Sequence, residues 1–246
     1  MLRLFRYLAA LFALLLVWHC AALALGERVL PTPPAVVPAF THALGTAEFW
    51  RHAGMSLFRA VGALALSFFL AFPLGIFLGA HRRADAWLSP LVFLTYPVPK
   101  ILFLPVLLVL FGLGEAPKIL LIALTAGYQI LVVTRDSVRA LDRRYLDAFA
   151  SLSADPAALV RHVLAPAALP AAVTSLRVAT GTAVAVLFMA ESFVTSTGLG
   201  FMIMDAWGGM DLPRMFTGII AMSFLGLLLY EACNLIERRF CRWTRL

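Results

Sequence analysis

Residues that could perform catalysis are few in this sequence, and their spacing matches no catalytic site. The two lysines, Lys100 and Lys118, are each followed by isoleucine, so neither belongs to the GxxxxGKS or GxxxxGKT loop that cradles nucleotide phosphates. The five histidines lie on separate segments without metal-ligand spacing: His19, His42, His52, His81 and His162. The GxSxG and HExxH motifs are absent. We therefore expect a chain that binds no cofactor or metal and is not an enzyme.

The composition excludes most classes of soluble protein. Of the 246 residues, 62% are apolar and 13% are charged, against roughly 45–50% and 25% in a soluble domain. So much apolar surface cannot be buried in a chain of this length, which indicates several membrane spans of about 20 residues each. The net charge of +7 would suggest nucleic acid for a soluble protein, but the arginines lie in short clusters beside apolar runs. We expect contact with membrane lipid and none with nucleic acid.

Six apolar stretches are long enough to cross a membrane, and they predict an all-α polytopic protein with a single transmembrane domain over residues 1–246. The predicted spans cover residues 7–26, 57–80, 87–113, 118–135, 171–195 and 215–237. The first stretch also resembles a signal peptide, because Ala22 and Ala24 match a small-residue cleavage site. An uncleaved first span is the simpler interpretation, since the rest of the chain is apolar too.

The basic residues predict the orientation of these spans. With the N-terminus inside, the inner segments carry thirteen arginines, whereas the outer segments carry three arginines and one lysine. Lysine and arginine are enriched in cytoplasmic loops, so both termini are expected in the cytoplasm. The longest inner segment, 136–170, is large enough to carry a partner site. Outside, we expect an amphipathic surface helix within residues 27–55 and a loop or short re-entrant segment at residues 196–214.

Of the ionisable residues within the apolar spans, three are candidate functional groups: Lys100, Arg177 and Glu191. Lys100 follows Pro97-Val98-Pro99, so its helix is expected to break there. A broken helix beside a cation offers free N–H groups and positive charge to an anion. We therefore hypothesise that Lys100 lies near a translocation pathway or gate. The alternatives are a charge that snorkels to the membrane interface and one that pairs with Glu191.

Glu191 has a structural interpretation as the partner of one of three cations: Lys100, Arg59 or Arg177. Further candidates for the pathway are polar side chains within the apolar spans: Tyr96, Tyr128 and Gln129. Together with Lys100 and Glu191 they form the candidate pathway set.

The inner segment predicts a helix, a tight turn and a second helix. Asp155-Pro156 has the pattern of an N-cap followed by proline at the first helical position. The first helix is expected to present Tyr145, Ala148 and Phe149 on one side. It is either an amphipathic connector on the membrane surface or a short helix that docks into a groove on another protein.

The spacing of this segment is similar to the cytoplasmic EAA loop of binding-protein-dependent ABC importer permeases. That loop has the pattern E-A-A, three residues, G, nine residues and I-x-L-P. The matching residues here are Asp147-Ala148-Phe149, then Ser153, then Val163-Leu164-Ala165-Pro166, without a gap. Ala148 and Pro166 are identical to the pattern, and the aspartate and valine are conservative replacements.

Three positions depart from that pattern: Phe149, Ser153 and Ala165. Ser153 replaces a turn glycine, and a serine is strained in the left-handed backbone conformation that glycine adopts freely. The departures therefore bear on the detailed coupling geometry rather than on the family.

The rest of the chain resembles the nitrate, taurine and aliphatic-sulfonate branch of these permeases. Five segments match it in order and spacing: Leu30-Pro31-Thr32-Pro33, Pro97-Val98-Pro99-Lys100, Phe111-Gly112-Leu113-Gly114-Glu115, Ala190-Glu191 and Gly198-Leu199-Gly200. Each match is short, but their shared order is hard to produce by chance.

The resemblance implies a type I ABC importer permease with six transmembrane helices in the bacterial inner membrane. It implies a second permease copy, a cytoplasmic ATPase dimer that binds ATP and Mg, and a periplasmic or lipid-anchored solute-binding protein. The ATPase would dock on the EAA-like residues, which form the coupling loop: Asp147, Ala148, Phe149, Ser153, Val163 and Pro166. The implied solute is small and anionic, such as a sulfonate, taurine or nitrate.

Other functions are open at this point. Permeases of this appearance also import small heterocyclic vitamin precursors. A self-sufficient secondary transporter would need inverted repeats and more embedded acids. Apart from Glu231 and Glu237 in the last turns of the sixth span, Glu191 is the one acid within a predicted span. A scaffold protein gives no reason for the EAA spacing, and a six-span half-exporter would lack it.

Overall fold

The computed structural model describes residues 2–152, 155–193 and 195–245, and every regular element in these ranges is helical. The first α-helices are α1 (Leu2–Leu25), α2 (Pro33–Leu44), α3 (Ala47–Ala80), α4 (Arg82–Thr95), α5 (Leu104–Phe111) and α6 (Ala116–Arg139). They are followed by α7 (Arg143–Leu152), α8 (Pro156–Leu159), α9 (Ala165–Phe193), α10 (Leu199–Gly208) and α11 (Leu212–Phe240). Short 3-10 turns occupy Lys100–Phe103 and Arg242–Arg245, and a π-turn occupies Val160–Leu164.

Five helices of the described chain are long and apolar enough to cross a membrane: α1, α3, α6, the helix from Pro156 to Phe193, and α11. A sixth span results when α4 and the Lys100–Phe111 arm, bent by 92° at their junction, are counted as one broken span. The all-α, multi-span fold class predicted from the sequence is confirmed. The bounds of the individual spans and the orientation of the termini stay predictions.

Two helical segments lie outside the predicted spans. α3 begins at Ala47, before the span start predicted at residue 57, because its polar first turns continue the same helix. Residues 199–208 form α10, where we expected a loop or a re-entrant segment. A helix satisfies its backbone groups internally whatever its side chains are, so hydropathy locates the apolar part of a helix and not its ends.

The third predicted span is broken where its prolines lie. α4 ends at Thr95 and the next turn starts at Lys100, with Pro97 and Pro99 between them. Proline lacks the N–H that continues a helix and restricts the residue before it. The bend of 92° between the two arms follows from this interruption.

The chain divides into two compact units. The first comprises Met1–Ser56 and Glu191–Ser223, and the second comprises Leu57–Ala190 and Phe224–Leu246. Within the first unit, Trp18 stacks on Phe216 with ring centroids 5.4 Å apart. Its indole N–H also donates to the carbonyl of Pro31 over 3.0 Å. These contacts tie α1 to α11 and to the segment that leads into α2.

Within the second unit, α3 and α6 pack at very short range. A Cβ atom on Gly75 would lie 2.7 Å from Cβ of Thr134, and one on Gly79 would lie 2.6 Å from Cβ of Val138. Real Cβ contacts are not this short, so only glycine allows the two helices this separation. The second unit therefore contains a closely packed α3–α6 pair.

Candidate functional site

The junction of the broken span is organised by Lys100. Its side chain is buried, with 8% of the residue exposed. The ammonium donates to the carbonyl oxygens of Thr95, Tyr96 and Val98, at 2.5, 3.1 and 2.9 Å. An ammonium group has three N–H donors, so all three are used. Lys100 thus satisfies carbonyls that the end of α4 leaves without a helical partner.

Two tyrosines complete this junction. The Lys100 ammonium lies 4.3 Å from the ring centroid of Tyr128, within the range of a cation–π interaction. The hydroxyls of Thr95 and Tyr128 are 2.8 Å apart, and the rings of Tyr96 and Tyr128 are 6.3 Å apart. The structure therefore brings together three residues that the sequence had proposed separately: Lys100, Tyr96 and Tyr128.

A cavity of about 740 Å³ lies in the second unit beside this junction. Its walls include Tyr96 and Gln129, two further members of the candidate pathway set, and the amide of Gln129 donates to the Thr182 hydroxyl over 3.1 Å. Polar groups also come from α9, through Thr174 and Ser175. Volumes of about 300–1,000 Å³ are typical of small-molecule sites.

The charged groups near this cavity are largely neutralised. Glu237 is the one charged residue among its described lining residues. Arg177 lies 2.9 Å from the Glu237 carboxylate and donates to the Asn234 amide oxygen over 2.6 Å. The cavity can therefore offer a solute hydroxyl and amide groups rather than an uncompensated positive charge.

Glu191 belongs to a buried network in the first unit. Its fully buried carboxylate accepts from the Ser56 hydroxyl at 2.8 Å and from the Gly200 N–H at 2.8 Å. The N–H of Leu199 donates to the Ser56 hydroxyl over 2.7 Å, and the N–H of Gly198 donates to Nδ1 of His52 over 3.0 Å. A carboxylate at a helix N-terminus satisfies free N–H groups and the helix dipole. The network therefore fastens the start of α10.

The sequence missed the roles of His52 and Ser56, since one histidine and one serine four residues apart on a helix give no distinctive pattern. Gly198-Leu199-Gly200 and Ala190-Glu191 are separate family-like segments in the sequence. Their proximity through backbone N–H groups could not be read from side-chain types.

The inner segment carries an exposed apolar ridge. On α7, Tyr145 is 64% exposed and Leu152 is 86% exposed, with Ala148 exposed between them. Phe149 is half-buried and Asp147 is exposed. Residues three and seven apart lie on the same face of a helix, so this face is apolar without being covered.

The other side of the inner segment packs against the second unit, to which it belongs. Leu146 and Leu159 pack against a buried cluster formed by Ile76, Val138, Leu164 and Ala168. Asp155 accepts from the N–H groups of Ala157 and Ala158 at 3.0 and 3.2 Å, which confirms the expected N-cap. Val163, within the π-turn, and Pro166 are half-buried. Ser153 lies outside the described residues.

A buried ion cluster joins α4 to the last turns of α6. Asp85, only 3% exposed, accepts from Nε and Nη2 of Arg135 at 2.5 and 2.8 Å. Arg139, one turn later, lies 2.8 Å from the same carboxylate. The sequence analysis did not single out Asp85, although the spacing of Arg135 and Arg139 places both on one helix face.

A second ion cluster lies at the start of α6. The Glu115 carboxylate accepts from the buried guanidinium of Arg59 and lies 3.3 Å from the ammonium of Lys118. The hydrogen bond from Arg59 holds the pKa of Glu115 below its usual value. Glu115 is therefore ionised at neutral pH and fixes α3 to α6 within the second unit. Among the described residues, no group of three or more histidine, cysteine or acidic side chains is arranged to hold a metal ion.

Comparison with known proteins places this arrangement in a family. Residues 71–242 match the family described as "Binding-protein-dependent transport system inner membrane component". The chain is 32% identical to the putative aliphatic sulfonates transport permease protein SsuC of Bacillus subtilis (strain 168), over 87% of this chain and 78% of that protein. It is 30% identical to the taurine transport system permease protein TauC of Escherichia coli (strain K12), over 96% of this chain and 88% of that protein.

A solved structure has the same fold. One chain of the MetNI methionine ABC transporter, in an inward-facing conformation, superimposes with a TM-score of 0.68. The match covers 77% of this chain and 94% of that one at 22% sequence identity. The family match and these relatives identify the chain as a multi-pass inner-membrane permease of an ABC importer. The chain belongs to the binding-protein-dependent transport system inner membrane components.

Proposed function

We propose that this permease moves a small sulfonate, such as taurine or an alkanesulfonate, into the cell with energy from ATP hydrolysed by a separate subunit. The two relatives named for sulfonate and taurine transport match most of the chain and support this solute class. The main support for coupling to an ATPase is the exposed apolar ridge of α7. Tyr145 and Leu152 on this ridge are uncovered at the surface of the permease.

The ridge of α7 is the docking site for the ATPase. A short amphipathic helix that lays its apolar face into a groove is a common mode of recognition. Leu146 holds the other side of α7 on the permease's own cluster, so a push on the ridge moves this part of the second unit. The ATPase is a cytoplasmic dimer that binds ATP and Mg, and both termini of the permease lie on the same side as α7.

The cavity beside Tyr96 is part of the translocation pathway. A sulfonate presents three oxygen atoms that accept hydrogen bonds, and the cavity offers donors in Gln129, Thr174 and Ser175. Direct contact of the solute with the Lys100 ammonium would require one of its three carbonyl bonds to open. Lys100 therefore acts at the gate through the geometry of the junction.

Two further partners complete the importer. A second copy of the permease closes the pathway from the opposite side. A periplasmic or lipid-anchored solute-binding protein delivers the solute to the outer segments, residues 27–55 and 196–214. Solute selection is then shared between the binding protein and the cavity.

The proposal is tested by purification and reconstitution. A permease tagged at its C-terminus is extracted gently from native membranes, and its co-purifying proteins are identified. We expect a stoichiometric ATPase with a phosphate-binding loop, and ATP-dependent uptake of taurine or ethanesulfonate when the binding protein is added. Uptake of nitrate or of a heterocyclic vitamin precursor instead would contradict the sulfonate assignment. Uptake by the chain alone, without ATP, would establish a secondary transporter.

Replacing Lys100 by methionine should lower uptake by about tenfold or more, since each hydrogen bond to a charged donor contributes about 1.5–3 kcal/mol and three carbonyls would lose theirs. The measurement is initial uptake in vesicles at matched expression. The control is Lys118→Met, because Glu115 keeps Arg59 as its partner when Lys118 is removed. Normal uptake by the Lys100→Met variant would contradict the assignment of Lys100 to the gate.

A further inference from the structure

The two arms of the broken span are fastened to different parts of the second unit. α4 is bound to the last turns of α6, where Asp85 joins Arg135 and Arg139. The other arm packs elsewhere, with Leu104 in a cluster with Leu121 near the start of α6 and Ala190 near the end of α9. The arms therefore have separate anchors at opposite ends of α6.

The anchor of α4 is also the anchor of the coupling segment. Val138 lies between the two arginines in sequence and belongs to the cluster that holds Leu146 and Leu159. The same two turns of α6 thus carry the inner segment on one face and the Asp85 carboxylate on another. α7 follows α6 after only residues 140–142. A displacement of α7 must therefore act on these turns.

The junction between the arms is suited to bending. Residues 96–99 lie between the end of α4 and the next turn, and the two prolines exclude a continuous helical ladder. Tyr96 stands at this junction and lines the cavity of about 740 Å³. A movement of α4 relative to the other arm would change the position of Tyr96 in the cavity.

We propose that Asp85 is a positioning residue that transmits displacement of the coupling segment to α4, and through α4 to Tyr96. This inference rests on the proposed function, since the displacement comes from the ATPase. Asp85 does not line the cavity. Its role is to make α4 move with the last turns of α6 while the other arm stays with its own anchor.

A buried ion pair is not needed merely to hold two helices together, because apolar residues of similar volume often do so equally well. The double variant Asp85→Leu with Arg135→Leu therefore removes the ionic link without leaving a buried unpaired charge. Arg139 is partly exposed and can turn to solvent. Asp85→Asn, which leaves both arginines without a carboxylate, is the single variant. Asp136→Asn is the matched control, since Asp136 accepts from the same Arg135 over 2.8 Å but lies on α6 itself.

The test uses the reconstituted complex with its ATPase and binding protein. We expect the double variant to fold and to hydrolyse ATP at a rate close to that of the native complex. Its taurine uptake per ATP should fall about tenfold, the scale of a typical coupling free energy. Asp85→Asn should show the same loss, and Asp136→Asn should keep the native ratio. A native ratio in the folded double variant would overturn the inference.

A second readout does not depend on the solute. Spin labels are placed at exposed sites on α4 (Trp87), on the other arm (Val109) and in the π-turn (Arg161), in a chain whose three cysteines are replaced by alanine. Labelled chains are diluted with unlabelled ones so that each complex carries one labelled copy.

On addition of a non-hydrolysable ATP analogue, the distance from Trp87 to Val109 should change and that from Trp87 to Arg161 should not. In the double variant we expect the reverse. A native complex that hydrolyses ATP but keeps the Trp87 to Val109 distance fixed would overturn this inference and leave the proposed function standing. A chain that binds no ATPase would overturn both.

Discussion

Alanine at position 198 should prevent the first unit from folding stably. Gly198 has φ +120° and ψ 160°, a backbone region that is essentially restricted to glycine and costs other residues about 1–3 kcal/mol. A Cβ atom here would also overlap the carboxylate of Glu191. Displacing that carboxylate breaks its bonds to Ser56 and to the Gly200 N–H, and a buried group left unsatisfied costs about 1–3 kcal/mol or more when charged.

The measurement is the midpoint of thermal unfolding and the recovered monodisperse protein after detergent extraction, for Gly198→Ala beside Gly208→Ala. Gly208 ends the same helix and lies outside the left-handed region, and a Cβ atom added to it would meet no described atom within 4 Å. We expect the Gly208 variant to match the native protein and the Gly198 variant to be lost or strongly destabilised. Equal unfolding midpoints for the two variants would contradict the prediction. They would show that the turn before α10 accommodates a Cβ atom at position 198 without loss of stability.

The helices and the break were predictable because both depend on local features of the chain. Long apolar runs require helices in a membrane, and Pro97 with Pro99 interrupts any helix. The N-cap at Asp155 is local too, because its acceptor and donors lie within three residues. Residues 47–56 of α3 lie before the span predicted from residue 57, because hydropathy does not mark the polar turns of a helix.

The partners of the buried charges could not be predicted in the same way. Lys100 binds three backbone carbonyls, and Glu191 accepts from a backbone N–H, groups that every residue carries. A sequence identifies a charged side chain, but which backbone groups are left free near it depends on how the helices end and pack. The link from Asp85 to Arg135 connects residues fifty positions apart, so only the packing of α4 on α6 reveals it.

The largest effect on transport is expected from a charge placed on the ridge of α7. Ala148→Asp puts a carboxylate between Tyr145 and Leu152, which are 64% and 86% exposed. Burying an unpaired charge in an apolar groove is costly, and disruption at the centre of an interface typically costs about 2–4 kcal/mol. ATPase binding should therefore weaken by about 30-fold or more, and uptake should fall with it. Folding should be unaffected, because position 148 is exposed in the permease itself.

Ala150→Asp is the matched control, because it places the same charge on the same helix at another exposed alanine. Residues two apart do not share a helix face, so position 150 points away from the ridge. Both variants are purified through a C-terminal tag, and the ATPase recovered per permease is measured together with taurine uptake. We expect loss of both signals for Ala148→Asp and retention for Ala150→Asp. If the two variants retained equal amounts of ATPase, the ridge could not be the docking face. Phe149 would not replace it, because it lies on the same side of α7 as Tyr145 and Leu152, and Leu146 is already packed against the permease's own core.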